Sequence, residues 1–201
     1  MGQTHRAWLA WLCGVLVSSG CGQPKEGRAI DAYNRGVDHV DEGEIDKAIT
    51  EFTEAIRLDP NLAEAYFGRG NSYGDKGEHD EAIADFTDAI RLDPSSFAAY
   101  HNRGFEYRKN GEHDQAIADY TEAIRLNPKD PDAYNHRGVA YREMGNHNKA
   151  SADFTDAIRL NPKLAEAYYG RGVAYDKVGD DDKASTDFAK AKGLGYVPPQ
   201  K

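Results

Sequence analysis

The seven residues EAIRLDP (Glu54–Pro60) return as DAIRLDP (Asp88–Pro94), EAIRLNP (Glu122–Pro128) and DAIRLNP (Asp156–Pro162), each 34 residues after the last. A fixed period of that length signals one supersecondary unit copied in tandem, and it constrains the fold more than composition does. Aligning Pro60, Pro94, Pro128 and Pro162 gives repeats 29–62, 63–96, 97–130 and 131–164, with a fifth over 165–192 and a tail over 193–201.

Two helices are expected in each copy. Tyr66, Gly70 and Tyr73 (then Tyr100, Gly104, Tyr107; Tyr134, Gly138, Tyr141; Tyr168, Gly172, Tyr175) are spaced i, i+4, i+7, one face of a first helix. On this reading the tyrosines fill the core and the glycine admits the second helix. Ala82, Phe86 and Ala89, with their counterparts, repeat that spacing in the second helix, where alanines set the separation and one ring fills the gap. Gly43, Gly77, Gly111, Gly145 and Gly179 fall between the two runs, where a helix C-terminus favours positive φ. The Asp-Pro and Asn-Pro pairs stop the second helix, because the residue before proline is pushed out of the helical region. A single helix pair cannot bury its apolar face, so the copies must stack. The end copies depart from the pattern as solubility requires: Ser185 and Lys192 replace Ile83 and Ile90 of the second repeat, and Ala32 and His39 stand where other repeats have tyrosine.

These columns resemble those of the tetratricopeptide-repeat (TPR) family over residues 29 to about 192. The resemblance implies an all-α, right-handed solenoid of about five helix-turn-helix repeats. It also implies a concave groove, lined by the first helices, that holds extended peptides or helices of partner proteins.

Arg35, Arg69, Arg103, Arg137 and Arg171 precede the first-helix glycine, and Glu51, Asp85, Asp119, Asp153 and Asp187 precede the second-helix ring. Matched in number and place, they are expected to tie helices together, in preference to forming a basic ligand ladder. Glu54/Arg57, Asp88/Arg91, Glu122/Arg125 and Asp156/Arg159 are i, i+3 pairs on a solvated face. His79, His113 and His147 share one repeat position and so complete no coordination shell. No nucleophile stands at a recognisable spacing from a base, and no glycine-rich phosphate loop precedes a helix. The expectation is a protein that is not an enzyme and has no metal or cofactor. A net charge of −9 with no Lys/Arg cluster argues against nucleic acid as a partner.

Repetition stops along the first-helix stripe opposite the tyrosines, which holds Asn34 and Val37; Glu64, Phe67 and Asn71; His101, Asn102, Phe105 and Arg108; Asp132, Asn135, His136 and Arg142; and Glu166, Tyr169 and Asp176. From this stripe Asn34, Phe67, Asn71, His101, Asn102, Phe105, Arg108, Asn135, His136, Arg142 and Tyr169 are the candidate groove contacts for a partner protein. TPR domains that clamp chaperone C-termini use lysines and an arginine where this chain has Phe67, Ala98, His101 and Asn102, so that ligand is not expected. Two other readings are open: Phe67, Phe105 and Tyr169 could stack on a cell-wall glycan, or the array could associate with copies of itself.

Residues 1–20 have a weakly basic start (His5, Arg6), an apolar run from Ala7 to Val17 and small residues Ser18, Ser19 and Gly20, the layout of a signal peptide too short to span a bilayer. VSSGC resembles the lipobox of bacterial lipoproteins, with Cys21 as the lipidated residue, although Ser18 stands where an aliphatic residue is usual. Ordinary cleavage after Gly20, leaving a thiol at Cys21, is the alternative. Without the leader the formal charge moves from −9 to −10, through loss of Arg6, and Cys21 is the only cysteine left. Residues 21–28 are expected to be a tether reaching roughly 20 Å from a membrane. Envelope TPR lipoproteins serve assembly machines, and resemblance plus leader implies such a role at a membrane facing the periplasm or exterior.

Overall fold

The computed structural model describes residues 24–198, so cleavage after Gly20 and lipidation of Cys21 lie outside the described residues. Ten helices follow in chain order: α1 (Lys25–Asp41), α2 (Ile45–Leu58), α3 (Ala63–Lys76), α4 (His79–Leu92), α5 (Phe97–Lys109), α6 (His113–Leu126), α7 (Pro131–Glu143), α8 (His147–Leu160), α9 (Ala165–Lys177) and α10 (Asp181–Gly193). They are the five expected pairs. Consecutive helices pack along the whole array, and each first helix also touches the next first helix, α1 with α3 through to α7 with α9. Second helices make no such contact with one another among the described residues, so the first helices line the inner face of the solenoid. No described helix is long and apolar enough to cross a membrane.

Every first helix ends in the same device. At the end of α3 Gly77 has φ +77°, its N–H donates to Gly74 O and the next N–H, of Glu78, reaches back to Tyr73 O, a Schellman closure that a β-carbon would strain. Gly43, Gly111, Gly145 and Gly179 share the positive φ. The residue before each proline has a second duty: Asp59, Asp93, Asn127 and Asn161 each accept from the N–H two residues on, at 3.0–3.3 Å. Only a short side chain with a carbonyl-type oxygen bridges the loop in this way, hence Asp or Asn at that column.

The core is alanine and rings. Phe52, Phe86, Tyr120 and Phe154 are 0–1% exposed among alanines that are almost wholly buried. Gly70 makes room for the ring, since a β-carbon there would lie 3.0 Å from Phe86.

Three expectations are corrected. The first-helix tyrosines fill the core only in part: Tyr66 is buried, and the others are half-buried, with Tyr100, Tyr107, Tyr134 and Tyr141 packed against the core from its edge. Spaced three before and four after the repeat arginine, they flank it, with the Arg69 guanidinium carbon 5.9 Å from the ring centres of both Tyr66 and Tyr73. Lys25–Arg28 are helical instead of part of a tether, because the Pro24 carbonyl accepts from Arg28 N and Glu26 complements the helix dipole in the first turn. Residues 193–198 are not a free tail. Gly195 (φ +90°) donates to Lys192 O and Tyr196 N donates to Ala191 O, which folds the segment back onto the array.

Candidate functional site

The repeated arginines are structural. Arg69, Arg103, Arg137 and Arg171 each grip Asp85, Asp119, Asp153 or Asp187 through two nitrogens at 2.7–2.9 Å. The third guanidinium nitrogen donates to Thr53, Thr87, Thr121 or Thr155 on the second helix of the preceding repeat. One side chain thus joins three helices across two repeats, with its charge matched by a buried carboxylate. Arg35, which has no preceding repeat, contacts only Glu51 and is the most exposed of the five. The i, i+3 pairs are formed and solvent-exposed.

On the inner face the non-repeating side chains bond to each other from repeat to repeat. Asn102 Nδ2 donates to Asn71 Oδ1 at 2.8 Å, His101 Nδ1 lies 3.2 Å from Asn102 Oδ1, and His101 Nε2 lies 2.9 Å from His136 Nδ1. Because the amide oxygen can only accept, His101 must carry its proton on Nδ1. Its Nε2 then accepts from His136 Nδ1–H. Every donor points the same way, from His136 down to Asn71, and bonds so aligned polarise one another. The chain needs a lone pair on His101 Nε2, whereas His136 donates from Nδ1 in either protonation state. Burial above all, with like-charge repulsion adding to it, holds the His136 pKa down at about 4.

Rings border this chain. Phe67 meets Phe86 edge-on at 5.7 Å, Phe105 lies 5.8 Å from His136, and Tyr120 packs against both histidines. Arg108 lies over Phe105 and donates to Glu143 Oε1 at 3.1 Å. Its Nε and the Tyr120 hydroxyl are buried without partners, and burial raises the tyrosine pKa.

The remaining candidates are placed differently. Asn34 is exposed at the open first repeat, and Arg142 is half-buried toward the C-terminal end. Asn135, expected at the groove surface, is 3% exposed with its Oδ1 unpaired, a short amide sunk in a column otherwise held by rings. Tyr169 is covered by Tyr196, ring centres 4.7 Å apart.

Some features are not visible in the repeat pattern. His79 pairs with Glu106 at 2.6 Å, whereas His113 is 3.5 Å from Glu143 and His147 Nδ1 has no partner, so one repeat column has three environments. His39, Glu42 and Glu44 bring three possible metal-ligand atoms within 4.8 Å, with Lys47 Nζ 2.8 Å from both oxygens of Glu44. Only the spacing of these three around the first turn could have flagged them.

An inner face of stacked first helices carrying a non-repeating polar chain defines a tetratricopeptide-type binding solenoid. The family profile described as TPR repeat matches residues 36–77, 106–145 and 138–179, and tetratricopeptide-repeat profiles match 63–96, 86–118 and 165–194. The chain belongs to the tetratricopeptide-repeat family. It is similar to the crystal structure of MamA, with 32% identity and a TM-score of 0.76 over 79% of this chain and 93% of that one. It is also similar to YrrB, described as a TPR protein with an unusual peptide-binding site, with 26% identity and a TM-score of 0.73 over 83% of this chain and 86% of that one. MamA from Desulfovibrio magneticus RS-1, at 22% identity and a TM-score of 0.79 over 83% and 94% of the two chains, shares the fold. No curated protein matches the chain.

Proposed function

We propose that this protein is a non-catalytic interaction scaffold whose inner groove binds an extended peptide or helix of a partner protein, and that it works in a bacterial cell envelope, anchored by lipid on Cys21. The observation that carries the binding reading is the chain Asn71–Asn102–His101–His136, which joins three repeats on the inner face between Phe67 and Phe105. Amides beside rings suit a peptide, whose backbone needs donors and acceptors and whose side chains need apolar seats. The likeness to a peptide-binding TPR protein supports it. The leader layout and VSSGC support the envelope and lipid reading.

A glycan is the weaker ligand, because Tyr196 already covers one of the three rings that would stack on sugar. Crosslinking pull-down from envelope membranes tests the groove. The native protein is expected to capture a partner that Asn71→Ala/Asn102→Ala/Phe105→Ala loses and that an outer-face variant, Glu122→Ala/Arg125→Ala, keeps. Equal capture by all three would move binding away from the groove.

A further inference from the structure

The two ends of the array differ from every internal junction in the same two columns. At three of the four junctions an isoleucine on a second helix and an alanine on the following first helix share one apolar cluster: Ile56 with Ala65, Ile90 with Ala99, and Ile158 with Ala167. One period beyond Ile158 stands Lys192, and one period before Ala65 stands Asp31. Both are exposed. The columns that meet inside the array therefore hold opposite charges at its free ends.

The rest of the C-terminal end is shaped as a seat. Phe188 is half-buried, unlike the equivalent rings of the other four repeats, because among the described residues no first helix packs over it. A cavity of about 650 Å³ opens there, lined by Phe188, Ala191, Lys192, Tyr169 and the segment Gly195–Pro198. That segment has the register of the loop Asn161–Leu164 between repeats, so it borders the helix face and leaves it open. At the N-terminal end α1 is already a first helix by register. Its Asn34 falls in the column that faces the preceding repeat's ring, a column held by Asn102 and His136, the latter 5.9 Å from Tyr120, and elsewhere by Gly68 and Gly170, where the ring presses closer.

We propose that copies of this chain stack head to tail, with α1 of one copy on the α9–α10 face of another, in the place of a sixth first helix, and with Asp31 of the first against Lys192 of the second. The contact is heterologous, so it propagates the solenoid into rods or a ring, and its opposite charges favour head-to-tail over like-end pairing.

Sedimentation velocity of the purified full-length protein over a concentration series, at low and high salt, tests this, with circular dichroism to confirm that variants keep their helices. The native protein is expected to associate, and to do so less in high salt. Asp31→Lys and Lys192→Asp should each weaken association about tenfold or more, because each brings like charges together. Mixing the two variants should restore it, since each end then meets its opposite, and so should the double variant alone. A monomer at every concentration overturns the proposal. So does association that neither reversal alters, or that mixing fails to restore.

Discussion

His79 Nδ1 lies 2.6 Å from Glu106 Oε2, so a histidine opening the second helix of one repeat holds a buried carboxylate from the next. The carboxylate fits because residue 74 is glycine: a β-carbon there would stand 2.6 Å from Glu106 Oε1.

Gly74→Ala is therefore expected to destabilise by about 1–2 kcal/mol in urea unfolding, through crowding of a bonded buried group. In a Glu106→Ala background the same change should instead stabilise by about 0.5–1 kcal/mol, the ordinary helix preference for alanine. A cycle with no sign change would mean that Glu106 swings aside freely.

Four of the five arginine–carboxylate pairs are bidentate, whereas Arg35 donates from two nitrogens to the single oxygen Glu51 Oε2, and the environments differ as well. Arg137 and Asp153 are 17% and 8% exposed, against 52% and 25% for Arg35 and Glu51. Asp153→Ala should cost about 3 kcal/mol by stranding a buried guanidinium. Glu51→Ala should cost less than about 1 kcal/mol. Thermal unfolding of the two variants side by side reads the difference.

His136 makes the fold sensitive to acid. Its pKa falls from 6.5 to about 4 on folding. Between those values the unfolded chain binds the proton and the folded chain does not, so stability drops as pH falls through the window, by roughly 3 kcal/mol in full. His136→Asn should flatten that part of the stability–pH curve measured by chemical denaturation. An unchanged slope would show that the imidazole titrates normally.

Tyr196 stacks on Tyr169, ring centres 4.7 Å apart, at the rim of the cavity beside Phe188. Tyr196→Ala should destabilise the fifth repeat by about 1 kcal/mol and speed amide exchange in α10, while exchange in α4 and α6 stays as it was, because each repeat leans only on its neighbours.

How much was legible depended on whether a contact repeats. The heptapeptide period, the turn glycines, the Asp/Asn-Pro stops and the arginine–carboxylate columns each recur four or five times, and each reflects a local or same-repeat requirement that every copy must meet. These columns, by themselves, determined a five-unit helical solenoid and assigned the repeated charges to its scaffold. The tyrosines were read only in part because i, i+4, i+7 spacing names a helix face without saying how deeply that face is buried or that it also flanks an arginine.

What tertiary structure alone decided are contacts that occur once and run between repeats: His79 with Glu106, Asn102 with Asn71, His101 with His136, and Tyr169 with Tyr196. Their separations of 27, 31 and 35 residues, for the first three, bracket the period without matching it. The packing of each repeat on the next brings such positions together, and no column of a repeat alignment records them. The inner side chains consequently form a bonded chain instead of a row of free groups, and only packing between whole repeats could show it.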